Sequence, residues 1–279
     1  MRYYKEFIGE TLGTFLLVLF GCGSVAVSVL FGAYNGIFQI AMVWGLGVTL
    51  AIYLTRHLSC AHLNSAVSIA MVIGKRMSVR KLPVYLSGQL MGAIMAGLVV
   101  YLLFGPSISA YESLHGIIRG TPESVQTAKI FGEYYKSAGS SAVVSLPLAV
   151  GAETIGTFLL LLMIFALTEG CNVGRPNEAL APLFIGLTVS SIICLIAPLT
   201  QAGLNPARDF GPRLVAWVNG WGSAAFPDQV GGFFYVYILG PIVGGILASL
   251  FFMYVLEPAM KRSSVKCSCN CENDKSIKK

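Results

Sequence analysis

The sequence predicts an all-α membrane protein with six transmembrane helices, two re-entrant half-helices and an inverted repeat. Three observations support this prediction: an apolar composition, long blocks with few charges, and motifs that occur twice. Of the 279 residues, 55% are hydrophobic and only 11% are charged, whereas a soluble domain carries about 25% charged residues. Too few charges remain to cover a surface that faces water.

Six blocks have the length and composition of membrane-spanning helices. A span needs about 20 predominantly apolar residues, because the hydrocarbon core of a bilayer is about 30 Å thick. The predicted spans approach or exceed this requirement and cover residues 7–30, 37–54, 82–104, 146–167, 179–199 and 233–256. The longest connection, about 105–145, is then expected to be a loop outside the cell.

The basic residues of the short connections predict the orientation of the chain. Lys and Arg cluster before the first span, in 75–81, at Arg175 and after the sixth span. With six crossings, all four segments fall on one side, which the positive-inside rule places in the cytoplasm. We therefore expect a cell-membrane protein with both termini cytoplasmic. The net charge of +6 reflects this topology and does not indicate nucleic-acid binding.

The C-terminal tail contains three closely spaced thiols, Cys267, Cys269 and Cys271. Such a cluster could bind a soft metal or act in redox chemistry, but no second Cys/His pair follows at zinc spacing. A disordered cytosolic tail with reduced thiols is the preferred interpretation. We expect neither a metal nor a cofactor. No nucleophile–base pair or phosphate-binding loop lies in the spans, so the sequence does not predict an enzyme.

Two stretches repeat along the chain in the same order. Residues 9–17 match 152–160, and 61–66 match 202–207. Each half therefore holds three spans, and an odd number makes the second half enter the membrane from the opposite side. We divide the chain into a first half with the outer loop (1–145), a second half (146–258) and a cytoplasmic tail (259–279).

Two further apolar pieces, 64–73 and 205–218, are too short to cross a bilayer. Each follows a segment predicted to be extended, so each half should contain a loop that enters the membrane, becomes a half-helix and leaves on the same side. Irregular backbone at membrane depth is tolerated only when protein buries it or when it lines a watery cavity. The sequence therefore predicts a cavity.

Asn64 and Asn205 begin these half-helices. Asn is a preferred N-cap residue, and Pro206 suits the first helical position. The inverted repeat brings both helix N-termini together near the bilayer centre, where each carries about half a positive elementary charge. The site should repel cations, including protons. The asparagine amides can donate to solute oxygens, and the extended segments can offer carbonyl acceptors.

Arg208 lies three residues after Asn205 and is costly within a membrane. It is either a fixed donor at a pore constriction or a structural residue paired with Asp209 or Glu153. Two acids, Glu10 and Glu153, lie in apolar spans. They could carry protons or ions, but we expect each to accept hydrogen bonds from the adjacent re-entrant loop.

His62 lies in the first of these loops. As with Glu10 and Glu153, its side chain could carry protons or could hold the re-entrant loop in place. We expect a loop-bracing role for the imidazole instead of a titrating gate.

These motifs resemble the major intrinsic proteins, the aquaporins and glycerol facilitators, over residues 5–257. Asp209 after Arg208 and the outer segment 115–124 are similar to the glycerol-facilitator branch. The resemblance implies a homotetramer with one pore per subunit. It also implies a selectivity filter formed by four residues: Trp44, Ile193, Ala202 and Arg208.

The chain departs from the family pattern at several positions. Ser65 stands where the family usually has Pro, Ala202 where glycerol facilitators carry a second aromatic, and Ile193 where they carry Gly. Ala202 should widen one corner of the filter, and Ile193 should partly refill the opposite side. Arg56 and His57 replace small residues near the cytoplasmic mouth, either as solvated residues or as a positive potential that attracts anions.

The resemblance implies a passive channel for glycerol and similar small neutral polyols, with some water permeability. In a second hypothesis, the widened filter and Arg56 admit larger polyols, sugars or sugar acids. A third hypothesis is an ion-coupled secondary transporter, since such proteins also use inverted repeats and broken helices. Membrane lipid and copies of the same chain are the other expected partners.

Overall fold

The structure, a computed structural model, describes residues 3–34, 36–135, 141–226 and 231–261. Every regular element in these ranges is helical, and six helices are long and apolar enough to cross a membrane. The predicted all-α class with six spans is confirmed. Cys267, Cys269 and Cys271 lie outside the described residues.

The helices follow the predicted order of spans and half-helices. The chain begins with α1 (Tyr4–Phe31), α2 (Ile37–Ser59), the short α3 (Ser65–Ile73), α4 (Leu82–His115) and one turn, α5 (Val125–Ala128). It continues with α6 (Leu146–Thr168), α7 (Ala181–Thr200), the short α8 (Pro206–Ala216) and α9 (Gly240–Phe251). The sixth span, Phe234–Lys261, contains α9 between π-helical turns at Phe234–Leu239 and Phe252–Leu256.

The loop expected to begin at residue 105 instead starts with helix, and this part of the prediction is wrong. Helix α4 continues through Pro106 and ends at His115, where Gly116 adopts a left-handed conformation with φ of 64°. Hydropathy falls after Phe104, but a helix does not require apolar residues to continue. Hydropathy therefore located the end of the most apolar block and not the end of the helix.

The spans pack in the same way in both halves. Helix α1 contacts α2 and α4, α6 contacts α7 and α9, and α2 meets α7 between the halves. Two glycines allow the outer pairs to approach closely: a Cβ at Gly92 would overlap the carbonyl oxygen of Thr11, and one at Gly244 would overlap that of Thr154. The repeated motif thus produces the same helix contact twice.

Each half-helix packs on the third span of the opposite half. Helix α3 lies against α9, where the Ser249 hydroxyl donates to the Ala70 carbonyl at 3.0 Å. Helix α8 lies against α4, with Pro212 next to Gly97. This exchange connects the two halves and holds both half-helices between the spans.

We expect Gly92→Ala to lower stability by roughly 1–3 kcal/mol, the usual cost of overpacking. The added Cβ would meet backbone atoms of Thr11 and Phe15, and backbone cannot move aside as a flexible side chain can. Thermal unfolding of the purified protein in detergent measures the change. Gly23→Ala is the matched control, since a Cβ at Gly23 meets nothing within 4 Å. Equal melting temperatures for the two variants would contradict this packing role.

Candidate functional site

The two half-helices meet N-terminus to N-terminus. The side-chain oxygen of Asn64 accepts from the backbone N–H groups of Ala66 and Val67, and Asn205 caps α8 in the same way. Each asparagine also reaches across to the other half. The Asn64 amide donates to the Leu204 carbonyl at 2.9 Å, and the Asn205 amide donates to the Leu63 carbonyl at 2.7 Å. One amide hydrogen of each asparagine thereby joins the halves, and a second amide hydrogen remains for a solute.

The segments before the half-helices adopt the same unusual backbone conformation. Three residues in each have positive φ without being glycine, namely Cys60, Ala61 and Leu63 in the first and Gln201, Ala202 and Leu204 in the second. Such angles are uncommon for residues with a side chain and persist only where surrounding structure enforces them. The repeat therefore extends to the backbone conformation of the re-entrant loops.

Two buried glutamates supply the acceptors that these segments require. Glu10 accepts from the backbone N–H groups of His62 at 3.0 Å and Leu63 at 2.7 Å. Glu153 accepts from those of Gly203 at 2.8 Å and Leu204 at 2.7 Å. Both carboxyl groups are fully buried. These contacts give buried backbone amide groups their hydrogen-bond acceptors.

His62 lies in the first re-entrant segment and lines the cavity. Its Nδ1 lies 3.2 Å from the Ser68 hydroxyl, and its ring packs against Tyr85 with the ring centres 4.8 Å apart. Ser65, which departs from the proline usual at this position, donates from its hydroxyl to Gln89 at 3.0 Å. Polar contacts thus surround the start of α3.

The four residues proposed for the filter line one cavity with the two asparagines. Trp44 on α2 and Ile193 on α7 face this cavity with Ala202 and Arg208. The Arg208 guanidinium lies over the Trp44 ring at 4.1 Å and donates to the Ala202 carbonyl at 2.9 Å. Arg208 is therefore held against the aromatic ring by a cation–π contact and a hydrogen bond.

Arg208 has an ionic partner that the sequence did not identify. Its Nη1 contacts Glu133, which lies in the connection between α5 and α6, while Asp209 pairs with Arg213 at 2.8 Å. The alternative interpretation of Arg208, a salt bridge to Asp209 or Glu153, named the wrong partners. Burial raises the pKa of Glu133, and the neighbouring Arg208 guanidinium acts in the opposite direction.

Charged residues also surround the other end of the cavity. Arg76 pairs with Glu169 at 2.8 Å and Glu257 at 3.2 Å, and Arg175 contacts Glu178 at 3.5 Å. Arg56 lines the cavity and donates to the Glu178 carbonyl at 3.0 Å. Of this group, the sequence identified only Arg56 as a residue that could affect a solute.

The cavity runs from this charged end, past the asparagines, to Arg208, and has a volume of about 480 Å³. Its wall combines polar groups with aliphatic side chains, including Val48, Leu160 and Val189. Two half-helices that meet at a cavity with polar and apolar walls, between six spans, define a membrane channel with an inverted repeat.

Comparison with known proteins agrees with this architecture. The family model described as major intrinsic protein matches residues 1–252, and the chain belongs to this family. The chain is 40% identical over 267 residues to the propanediol uptake facilitator PduF of Citrobacter freundii, covering 94% of this chain and 96% of the relative. It is 42% identical over 246 residues to the glycerol uptake facilitator protein of Escherichia coli K12, covering 87% and 84%, respectively.

A solved structure has the same fold. The X-ray structure of the aquaglyceroporin from Plasmodium falciparum superposes with a TM-score of 0.80 at 29% sequence identity, covering 93% of this chain and 99% of that one. The predicted resemblance to the major intrinsic proteins is confirmed.

Proposed function

We propose that this protein is a passive channel for glycerol and similar small neutral polyols, with some water permeability. The observation that carries this proposal is the pair of half-helix N-termini at a cavity that also contains Trp44 and Arg208. The names of the relatives, a glycerol uptake facilitator and a propanediol uptake facilitator, support the same class of solute.

The proposed site matches the chemistry of a polyol. A polyol carries hydroxyls along a short carbon chain, so it needs hydrogen-bonding groups and apolar contact together. We assign the carbon chain to Trp44, the hydroxyls to Arg208, and the midpoint contacts to Asn64 and Asn205. Ile193 and Ala202 complete the filter and limit its width.

The same residues explain why ions should not pass. The positive ends of α3 and α8 repel cations at the midpoint, and the polar groups of the site cannot replace the whole hydration shell of an anion. Glu10 and Glu153 accept backbone hydrogen bonds, so we assign them, with His62, a bracing role and not proton transport. This assignment favours a channel over a coupled transporter.

For the whole molecule, we propose a homotetramer in the cell membrane, with one pore per subunit, both termini in the cytoplasm and lipid around the outer helix faces. Many large apolar side chains are exposed on the isolated chain, for example Leu102 and Tyr254. Lipid or neighbouring subunits would cover such surfaces. Cross-linking in native membranes tests the assembly, and protease accessibility of tagged termini tests the orientation.

The function is tested by stopped-flow uptake into proteoliposomes. We expect rapid glycerol flux that increases linearly with concentration and is unchanged by an imposed proton or sodium gradient. Empty liposomes and liposomes with denatured protein are the controls. Saturable uptake that follows either gradient would support a coupled transporter instead. Rapid flux of sugar acids would support the second hypothesis, in which Arg56 and the wider filter admit larger, charged solutes.

A further inference from the structure

Glu133 lies next to the proposed selectivity filter although it belongs to the connection between α5 and α6 and not to a span. Its side chain is 7% exposed and contacts Nη1 of Arg208. Its backbone is fixed as well: the N–H group donates to Asp209 at 2.8 Å, and the carbonyl accepts from Arg213. Gly132 lets Arg213 approach, because a Cβ there would lie 2.5 Å from the guanidinium carbon. Glu133 is therefore a positioned residue.

Glu133 and the three charged residues around it are balanced in charge. Arg208 and Arg213 are matched by Glu133 and Asp209, and all four residues are buried. The filter arginine thus acts as half of an ion pair and not as an isolated positive charge. A carboxylate beside it also changes the hydrogen-bonding character of the site, because arginine can only donate and an ionised carboxylate can only accept.

One oxygen of this carboxylate has no protein partner in the part of the chain that the structure describes. Oε1 contacts Arg208, and Oε2 has no hydrogen-bond partner among the described residues. Within the same part of the chain, the buried side-chain atoms that lack both a partner and solvent access are the hydroxyls of Thr14 and Thr157. Glu133 Oε2 is not one of them, so this oxygen keeps some exposure to solvent. Glu133 lies beside the cavity, in contact with the lining residue Arg208.

We propose that Glu133 is a specificity-determining residue of the channel, and that Arg208 and Glu133 together recognise solutes with hydroxyls on adjacent carbons. One hydroxyl accepts from Arg208 while its neighbour donates to Glu133. A diol with separated hydroxyls fits Arg208 and Glu133 less well at the same time. It therefore replaces fewer of its hydrogen bonds to water when it crosses the filter. This inference rests on the proposed polyol channel.

The test compares two isomers of equal size, 1,2-propanediol and 1,3-propanediol, in proteoliposomes after subtraction of flux through empty liposomes. The unmodified protein should pass the 1,2-isomer faster. In Glu133→Gln, a donating amide replaces the free oxygen, and the ratio of the two permeabilities should fall roughly fivefold, the scale of one net hydrogen bond. Glu112→Gln is the matched control, since Glu112 is also buried and pairs with Arg119 at 2.8 Å away from the filter.

Each outcome has a clear meaning. A lower ratio in Glu133→Gln with an unchanged ratio in Glu112→Gln supports the proposal. Equal loss of both isomers in Glu133→Gln overturns it and leaves Glu133 as a brace for Arg208. If Glu133→Gln does not fold, the unmodified protein still tests the proposal. Equal permeabilities of the two isomers in that protein would overturn it. If no polyol passes at all, the proposed function itself has failed.

Discussion

Glu153→Leu is expected to prevent the chain from accumulating as a folded channel. Three donors lose their acceptor: the Thr200 hydroxyl, at 2.6 Å, and the N–H groups of Gly203 and Leu204. Each buried group left unpaired costs about 1–3 kcal/mol, and the total approaches the 5–15 kcal/mol that stabilises a typical protein. The measurement is the yield of monodisperse protein in detergent, together with its thermal unfolding temperature.

Two further variants show whether the loss comes from the missing acceptor or from any replacement of a glutamate by leucine. Glu10→Leu should fail in the same way, because Glu10 accepts from Ser59, His62 and Leu63 in the other half. Glu178→Leu should behave like the unmodified protein, since its side chain is 80% exposed. A normal yield and melting temperature for Glu153→Leu would show that the re-entrant segment does not depend on this carboxylate.

The repeated motifs allowed much of the fold to be predicted. Asn64 and Asn205 stand where an N-cap is favourable, and the lengths of the spans follow from the bilayer thickness. Both are local properties of the chain, so they can be read directly. The inverted arrangement then followed from counting spans, because an odd number in each half leaves one way for the repeated segments to face each other.

The ionic partners could not be predicted, because they depend on tertiary distances. Glu133 reaches Arg208 across 75 positions of the chain, and no periodic pattern connects the two. Glu133 lies within the loop predicted for residues 105–145, although its aromatic neighbours Phe131, Tyr134 and Tyr135 are all buried. Such an aromatic run in a polar segment is a signal of burial that the sequence did contain.

The end of α4 was missed for a different physical reason. Pro106 usually disfavours a helix interior because it removes a backbone donor and crowds the preceding turn. Here, the helix continues and is supported beyond the proline by buried Ile108 and Glu112. Glu112 accepts from Arg119, just after α4, and from Thr127 in α5. Tertiary contacts therefore compensate for an unfavourable local residue.

Ala202→Phe is expected to reduce the largest solute that the channel passes. Ala202 lines the cavity beside Arg208, and its small side chain leaves room that a second aromatic would fill. Permeability to a five-carbon polyol such as xylitol should fall at least about tenfold relative to glycerol, because pocket size discriminates by about 1–3 kcal/mol per methylene. Stopped-flow measurements on proteoliposomes with glycerol and xylitol give this ratio.

The conformation of residue 202 determines the control for this experiment. Its φ of 64° is tolerated less well by large side chains, so a lower melting temperature alone does not test the filter. Ala202→Leu adds volume at the same φ but has no aromatic face. It should narrow the pore, and it should bind polyols less well than Ala202→Phe does. If Ala202→Phe folds and passes xylitol and glycerol in the original ratio, residue 202 does not limit solute size, and the constriction must lie elsewhere along the cavity.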